Sequence, residues 1–231
     1  MTRTLIMVRH GQTEYNATKR MQGHLDTRLS AQGYAEARGI GRLLAAEKSL
    51  PVSRIITSDL TRAAETAKMI GAELGLEPEL DHRLRETDLG QWQGQSRDEV
   101  DAAWPGARAI WRHDATWAPP GGESRVDVAA RALPVVTELM QHPASWENGA
   151  IVLVAHSGTI ISLASALLGF SPEQIPLLSG MNNCHMARLS ARPLVEYLGK
   201  KPEDLPTTAP QFSDTSDTSA RWYLDAWNVG V

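Results

Sequence analysis

Short apolar runs alternate along this chain with longer stretches in which apolar residues recur every three or four positions. Thr4 to Val8 (TLIMV) is a compact, partly β-branched run that stops at Arg9-His10-Gly11. Such a run reads as a buried strand that delivers polar residues at its C-terminal end. Ser30 then opens a helical stretch to about Lys48, with Ala35, Ile40, Leu43 and Leu44 at helical spacing and Ser30 as N-cap. Arg54 to Thr57 predicts a second strand. Leu60 to Leu74 predicts a second helix, with Ala63, Ala64, Ala67, Ile70 and Leu74 on one side and Gly75 just past its end.

The middle of the chain is less regular. Leu84 to Gly94 reads as a loop. Asp98 to about Trp104 reads as a short helix stopped by Pro105-Gly106. Glu123 to Met140 predicts a long helix that Pro134 should kink or divide. Ala150 to Ala155 (AIVLVA) is the clearest buried strand. It ends in His156-Ser157-Gly158, and a helix follows to Leu168. Met186 to Leu189 and Trp222 to Trp227 are later strand candidates, with a Pro-, Thr-, Ser- and Asp-rich surface loop expected from Arg192 to Ala220. Strands alternating with helices predict an α/β fold, a three-layer αβα sandwich around a mostly parallel central sheet. No composition shift divides the 231 residues, so a single domain is expected.

Composition narrows the chemistry. Lys and Arg number 23 against 27 Asp and Glu, a net charge of −4. That balance, with a pI near 6.0, argues against a nucleic-acid or acidic-membrane partner. Cys184 is the one cysteine, which excludes an internal disulfide or a cysteine-based metal cluster, and a buried structural thiol is expected. The apolar runs are far shorter than the ~20 residues of a membrane span, and the run after Met1 is too short for a signal-peptide core. A cytoplasmic protein is the expectation.

Two strands end in histidine. Open α/β sheets bind ligands beyond the carboxyl ends of their strands, so His10 and His156 converge on one site if those strands are neighbours. Arg9 adjoins the first histidine, and Arg62 lies near the start of the second helix, at the same sheet edge. Guanidinium forks match tetrahedral oxyanions, and helix N-termini offer backbone N–H groups. These four side chains together predict a phosphate site. The remaining histidines, His24, His82, His113, His142 and His185, show no metal-ligand spacing, so no metal and no cofactor is expected.

At Arg9-His10-Gly11-x-Thr13-x-x-Asn16 the chain resembles the histidine phosphatase superfamily, which includes the cofactor-dependent phosphoglycerate mutases. The resemblance continues through Gln22-Gly23, Asp26-x-x-Leu29-Ser30-x-x-Gly33, Ser58-Asp59-Leu60-x-Arg62-Ala63, Leu84-Arg85-Glu86, Gly121-Gly122-Glu123-Ser124 and Val154-Ala155-His156-Ser157-Gly158. It implies a phosphoglycerate mutase-like fold and catalysis through phosphohistidine. His10 is then the nucleophile. Arg9, Arg62 and His156 hold the phosphate with Asn16 beside them, and Glu86 is the proton donor, with Asp88 as a competitor for that role. Gln22, Gly23 and Ser157 lie near the phosphate. The chemistry demands a neutral His10 with its other ring nitrogen fixed by an acceptor, and a protonated His156 if that residue is to add positive charge.

The continuation Thr87-Asp88-Leu89-Gly90-Gln91-Trp92 resembles the phosphatase branch, and no Arg-Arg pair of the kind mutases use for a substrate carboxylate occurs anywhere in the chain. Hydrolysis is therefore favoured. The stretch Ala103 to Arg131 and the C-terminal Trp222 to Asn228 resemble the phosphatases of this family that act on glucosyl-3-phosphoglycerate; His24 is a departure. A broad-specificity phosphatase and a phosphoglycerate mutase are the alternatives. A lid insertion is expected around 95–122, in which Trp111 or Trp117 either lies with its flat ring against the sugar or packs the lid onto the body, and Arg112 meets the glycerate carboxylate. The expected partner is a small phosphorylated substrate. A homodimer is possible through the apolar C-terminal end at Trp227-Asn228-Val229.

Overall fold

The fold is described from a computed structural model, for residues 2–194, 201, 211–212 and 220–230. Most of the loop expected between Arg192 and Ala220 lies outside the described residues.

Strand β1 (Arg3–Arg9) runs through the middle of the sheet. A single helical turn α1 (Glu14–Ala17) follows it, and then helix α2 (Ala31–Ala46), capped by the Ser30 hydroxyl accepting from Gly33 N–H. Next come β2 (Val52–Thr57) and α3 (Thr61–Leu74), which Gly75 ends in the left-handed conformation at φ 70°. A two-residue edge strand β3 (Glu79–Leu80) leads into the central loops. Two short helices, α4 (Arg97–Ala103) and α5 (Ala107–His113), precede the long α6 (Arg125–Met140). The chain then returns through β4 (Ala150–Ala155) and α7 (Ser157–Leu168) and finishes with β5 (Met186–Pro193) and β6 (Ala220–Val229).

The strand order is β3-β2-β4-β1-β5-β6. The first four strands of that order pair in parallel, β5 pairs antiparallel with β1, and β6 pairs antiparallel with β5. The sheet is thus mostly parallel, as the sequence predicts. Alternation along the strands sorts side chains to two faces. Ile6, Val8, Val152 and Val154 pack with Ala37, Ile40, Ala63, Ala67 and Ile70 of α2 and α3. Leu5, Met7, Ile151 and Leu153 pack with Val135, Val136, Leu139, Ile160 and Leu163 of α6 and α7. This gives the three layers, and it explains why β4 is buried along its whole length.

Three expectations need correction. The buried stripe of α2 is Gly33, Ala37, Ile40, Gly41 and Leu44, while Ala35 and Leu43 face outward. Small residues sit there because α2 packs close to α3: a Cβ on Gly41 would lie 3.2 Å from the Cα of Ile70. Pro134 does not divide α6, which runs unbroken from Arg125 to Met140. Both Pro134 and Ala130, whose carbonyl loses its helical donor there, are on the exposed side, where water can take the donor's place. Third, β5 and β6 extend well beyond the short runs that suggested them, because their mutual pairing carries polar residues such as Arg192 and Arg221 into the ladder.

A separate small apolar cluster lies over the sheet's carboxyl edge. Trp92 is fully buried at its centre, with Leu89 and Val100. The rings of Trp104, Trp111 and Trp117 surround it at centroid distances of 6.4, 5.9 and 5.6 Å.

Candidate active site

The parallel pairing of β1 with β4 aligns Arg9 with Ala155, so the next residue of each strand, His10 and His156, emerges side by side. Their ring centroids are 5.0 Å apart at an interplanar angle of 58°. Both are buried, His10 at 2% exposure and His156 at 0%. The Nδ1 of His10 lies 2.7 Å from the Gly11 carbonyl. A carbonyl only accepts, so Nδ1 carries the proton and Nε2 keeps its lone pair. The turn that sets this geometry is tight. Gly11 N–H donates to Thr66 Oγ1 of α3, and a side chain on Gly11 would collide with the backbone of Gly33 at the start of α2.

Arg62 sits in the first turn of α3 and is completely buried. Its Nη1 and Nη2 donate to the carbonyls of Leu25 and Gly23, at 2.8 Å each. Arg9 donates from Nη1 to the Met181 carbonyl. No carboxylate pairs with either guanidinium among the described residues. Burial lowers both arginines from their ordinary value, Arg62 to about 10, against a raising influence from Glu86. Burial also pushes both histidines well below 6.5, with Arg62 and Arg9 adding to the effect. Burial thus favours the neutral form of both imidazoles, and His156 adds positive charge only when an anion beside it favours its protonated form. Its Nε2 lies 2.9 Å from Ser58 Oγ, and its Nδ1 is buried without a partner, as are Arg9 Nε and Arg62 Nε.

Glu86 approaches from the central loop. Its carboxylate accepts from the backbone N–H groups of Thr87, Gly158 and Thr159, which seats it on the N-terminus of α7 beside His156. The loop itself is held by Arg131 of α6, whose guanidinium donates to the carbonyls of Arg83, Arg85 and Glu86 and pairs with Glu123. Asp88 is engaged differently. Its Oδ1 accepts from Gly90 N–H, and its backbone exchanges hydrogen bonds with Glu123. Glu86 is thus the carboxylate at the histidine pair, and Asp88 shapes the loop.

The other sequence-predicted residues divide into two groups. Asn16 and Gln22 sit around the site with their side chains already engaged: Asn16 Oδ1 accepts from Thr13 N–H and from Asn183 Nδ2, and Gln22 Oε1 accepts from Thr27. Gly23 supplies the carbonyl that Arg62 grips. Ser157 Oγ accepts from Met181 N–H and so fixes the loop that receives Arg9. Trp111 and Arg112, expected in a lid, behave differently. Trp111 stands edge-on to Trp92, with its Nε1 buried and unpartnered, and Trp117 also packs on Trp92. Arg112 is exposed, and what it offers inward is its carbonyl, which accepts from Arg125 Nη1 at 3.4 Å. Neither residue joins the cluster around His10.

Ser58, Asn183, Arg131 and His24 were assigned no role from sequence. Asn183 ties the His10 carbonyl to Asn16, and His24 Nε2 donates to the Glu86 carbonyl at 2.7 Å. Ser58 could have been found, since it stands in the same strand-end motif as Arg62. Cys184 is buried, adopts φ 51°, and donates its backbone N–H to the Arg9 carbonyl. Burial pushes its thiol up to about 12, consistent with a structural role. Among the described residues no cluster of three His, Cys, Asp or Glu side chains could hold a metal ion.

The chain belongs to the histidine phosphatase superfamily, branch 1, whose family model matches residues 5–194. Within it, the chain is 45% identical over 233 residues to the glucosyl-3-phosphoglycerate phosphatase of Mycolicibacterium vanbaalenii, covering 99% of this chain and 96% of that protein. It is 38% identical over 179 residues to the 2,3-bisphosphoglycerate-dependent phosphoglycerate mutase of Brucella melitensis, covering 76% of this chain and 86% of that one. A solved structure of mycobacterial glucosyl-3-phosphoglycerate phosphatase complexed with VO3 superimposes with a TM-score of 0.84 at 44% identity, covering 99% of this chain and all of that one.

Proposed function

We propose that this chain hydrolyses phosphomonoesters through a phosphohistidine at His10, with glucosyl-3-phosphoglycerate as its substrate and glucosylglycerate and inorganic phosphate as products. The observation that carries the chemistry is the set of three buried, unpartnered nitrogens around His10: Arg9 Nε, Arg62 Nε and His156 Nδ1. Most buried polar groups in proteins are hydrogen-bonded, and phosphoryl oxygens are the acceptors that these three nitrogens would meet. The Nε2 of His10 attacks phosphorus. The ester bond breaks, and Glu86 gives its proton to the departing alkoxide. Glu86 then takes a proton from water, whose oxygen attacks the phosphohistidine and restores neutral His10. Negative charge spreads over the phosphoryl oxygens in both steps, where Arg9 and Arg62 stabilise it. A phosphate dianion would also favour the protonated form of His156.

The substrate rests on the 45% identity to glucosyl-3-phosphoglycerate phosphatase over nearly the whole chain. Residues 95–122 act in this reading as a lid on a single domain, anchored through Trp92. A sugar-acid phosphate is too highly charged to cross membranes, which suits a cytoplasmic enzyme. The reading also includes a homodimer joined at β6. That strand is the outer edge of the sheet, ten residues long, and it exposes Tyr223, Leu224 and Val229. Sedimentation of the wild type and of Leu224→Lys tests this: a monomeric wild type ends the dimer reading.

Initial rates on glucosyl-3-phosphoglycerate, mannosyl-3-phosphoglycerate, 3-phosphoglycerate and p-nitrophenyl phosphate, with and without chelator, test the function. The expected kcat/KM for the glucosylated substrate is at least about 100-fold above that for 3-phosphoglycerate, roughly 2.7 kcal/mol of discrimination. A flat profile would leave a general phosphatase. Rapid quenching should trap an acid-labile phosphoryl group in the wild type and none in His10→Ala; retained turnover in that variant would refute the mechanism.

A further inference from the structure

Arg125 is a partly buried guanidinium with no carboxylate partner among the described residues, whereas Arg83, Arg85, Arg108 and Arg131 each hold at least one. It occupies the first position of α6, directly after the Ser124 cap. That end of α6 is fastened to the Glu86 loop: Glu123 bonds Asp88 N–H, and Arg131 bonds the Glu86 carbonyl. The guanidinium carbon of Arg125 stands 5.3 Å from the centre of the Trp111 ring, and Nη1 makes one long bond to the Arg112 carbonyl. A flat ring and one weak acceptor hold the fork in place and leave most of its five donors uncommitted. A cation held this way without a counterion is preorganised for an anion that arrives with a ligand.

We propose that Arg125 takes the carboxylate of the substrate's leaving group, making it the residue by which this site prefers phosphate esters of hydroxy acids. The inference rests on the phosphatase reading and deepens it. Arg112, assigned this role from sequence, is exposed and supplies only its carbonyl, as a clamp on Arg125. Electrostatics agree. Arg125 is lowered from its ordinary value by burial, as are Arg9 and Arg62, and Glu86 opposes the shift in all three. Three arginines therefore share Glu86 as a nearby negative charge. Arg9 and Arg62 adjoin His10, where the phosphoryl group reacts. Arg125 stands at the start of α6, beside the Glu86 loop and against Trp111, on the side where this reading places the rest of the substrate. A substrate with two anionic groups can engage both ends.

The test compares 3-phosphoglycerate with glycerol 3-phosphate, which differ in a carboxylate against a hydroxymethyl group, in the wild type, Arg125→Ala, Arg125→Gln and Arg125→Lys. The wild type should favour the carboxylated ester in kcat/KM. Arg125→Ala and Arg125→Gln should cut that preference about 10- to 100-fold, chiefly through KM, and Arg125→Lys should keep part of it. Melting temperatures check that the variants fold. A preference ratio unchanged in folded Arg125→Gln would overturn the inference and leave the phosphatase reading intact. Equal losses on both esters would also overturn it, since they indicate a purely structural arginine. Absence of hydrolysis of any ester by the wild type would overturn both.

Discussion

The imidazoles of His10 and His156 stand 5.0 Å apart because β1 and β4 are parallel neighbours whose last residues, Arg9 and Ala155, lie in register. Parallel pairing brings two carboxyl-terminal strand ends to one edge. An antiparallel pairing of the same strands would put the histidines at opposite ends of the sheet. The same edge carries the N-termini of α3 and α7, so Arg62 and the seat of Glu86 arrive with no further device.

The depressed histidines make stability depend on pH. Burial, Arg62 and Arg9 hold His10 and His156 well below 6.5 in the fold, so the unfolded chain binds their protons first. Stability should be flat above that value and fall as pH drops through 6.5 toward the folded values, by about 1.4 kcal/mol per unit of depression. Melting curves of wild type and His156→Gln between pH 8 and 5 check this. The gain of the variant over wild type should grow as pH falls; a difference independent of pH would contradict the assignment.

Gly158 has no side chain because Glu86 needs the space. A Cβ there would run into the Glu86 carboxylate and Thr87 Oγ1. Gly158→Ala should displace the proton donor and lower kcat about 10- to 100-fold, within the usual range for general acid catalysis, while the melting temperature changes little. Turnover at the wild-type rate would remove Glu86 from the acid role.

Arg62 spends two donors on the carbonyls of Gly23 and Leu25 and keeps Nε unpartnered. A lysine has one nitrogen and cannot do both. Arg62→Lys should lower kcat/KM by about 100-fold or more, in line with the loss of one preorganised donor to developing charge. Retention of activity within a few-fold would mean that Arg62 only braces the Gly23 turn.

Trp92 gathers three other indole rings around it. It is fully buried against Trp104, Trp111 and Trp117, so Trp92→Ala should cost about 3–5 kcal/mol in a denaturant titration. If residues 95–122 form the proposed lid, KM for the glucosylated substrate should rise as well. A loss below about 1 kcal/mol would mean that this cluster adds little to the body of the protein.

Much of this protein is written locally. The apolar runs Thr4–Val8 and Ala150–Ala155, the Ser30 cap and the Gly75 stop each depend on a few neighbouring residues, and each stands where the sequence puts it. The motif order from Arg9 to Gly158 carried the family. The α2 stripe was misjudged because Gly33 and Gly41 carry no hydrophobic signal, although their smallness is what lets α2 approach the His10 turn and α3.

The roles of the residues around Trp92 were not written locally. Arg112 and Arg125, or Trp111 and a sugar, look alike in a sequence, because composition reports residue types and not their directions. Packing around Trp92 turned Trp111 inward, left Arg112 exposed and set Arg125 over the ring. The sequence by itself determined the layers, the two histidine-bearing strand ends and the family. The tertiary structure alone decided the downward shift of His156 and the placement of Arg125, not the Arg112 guanidinium, against the Trp111 ring, because burial and long-range contact set both, and no local pattern encodes them.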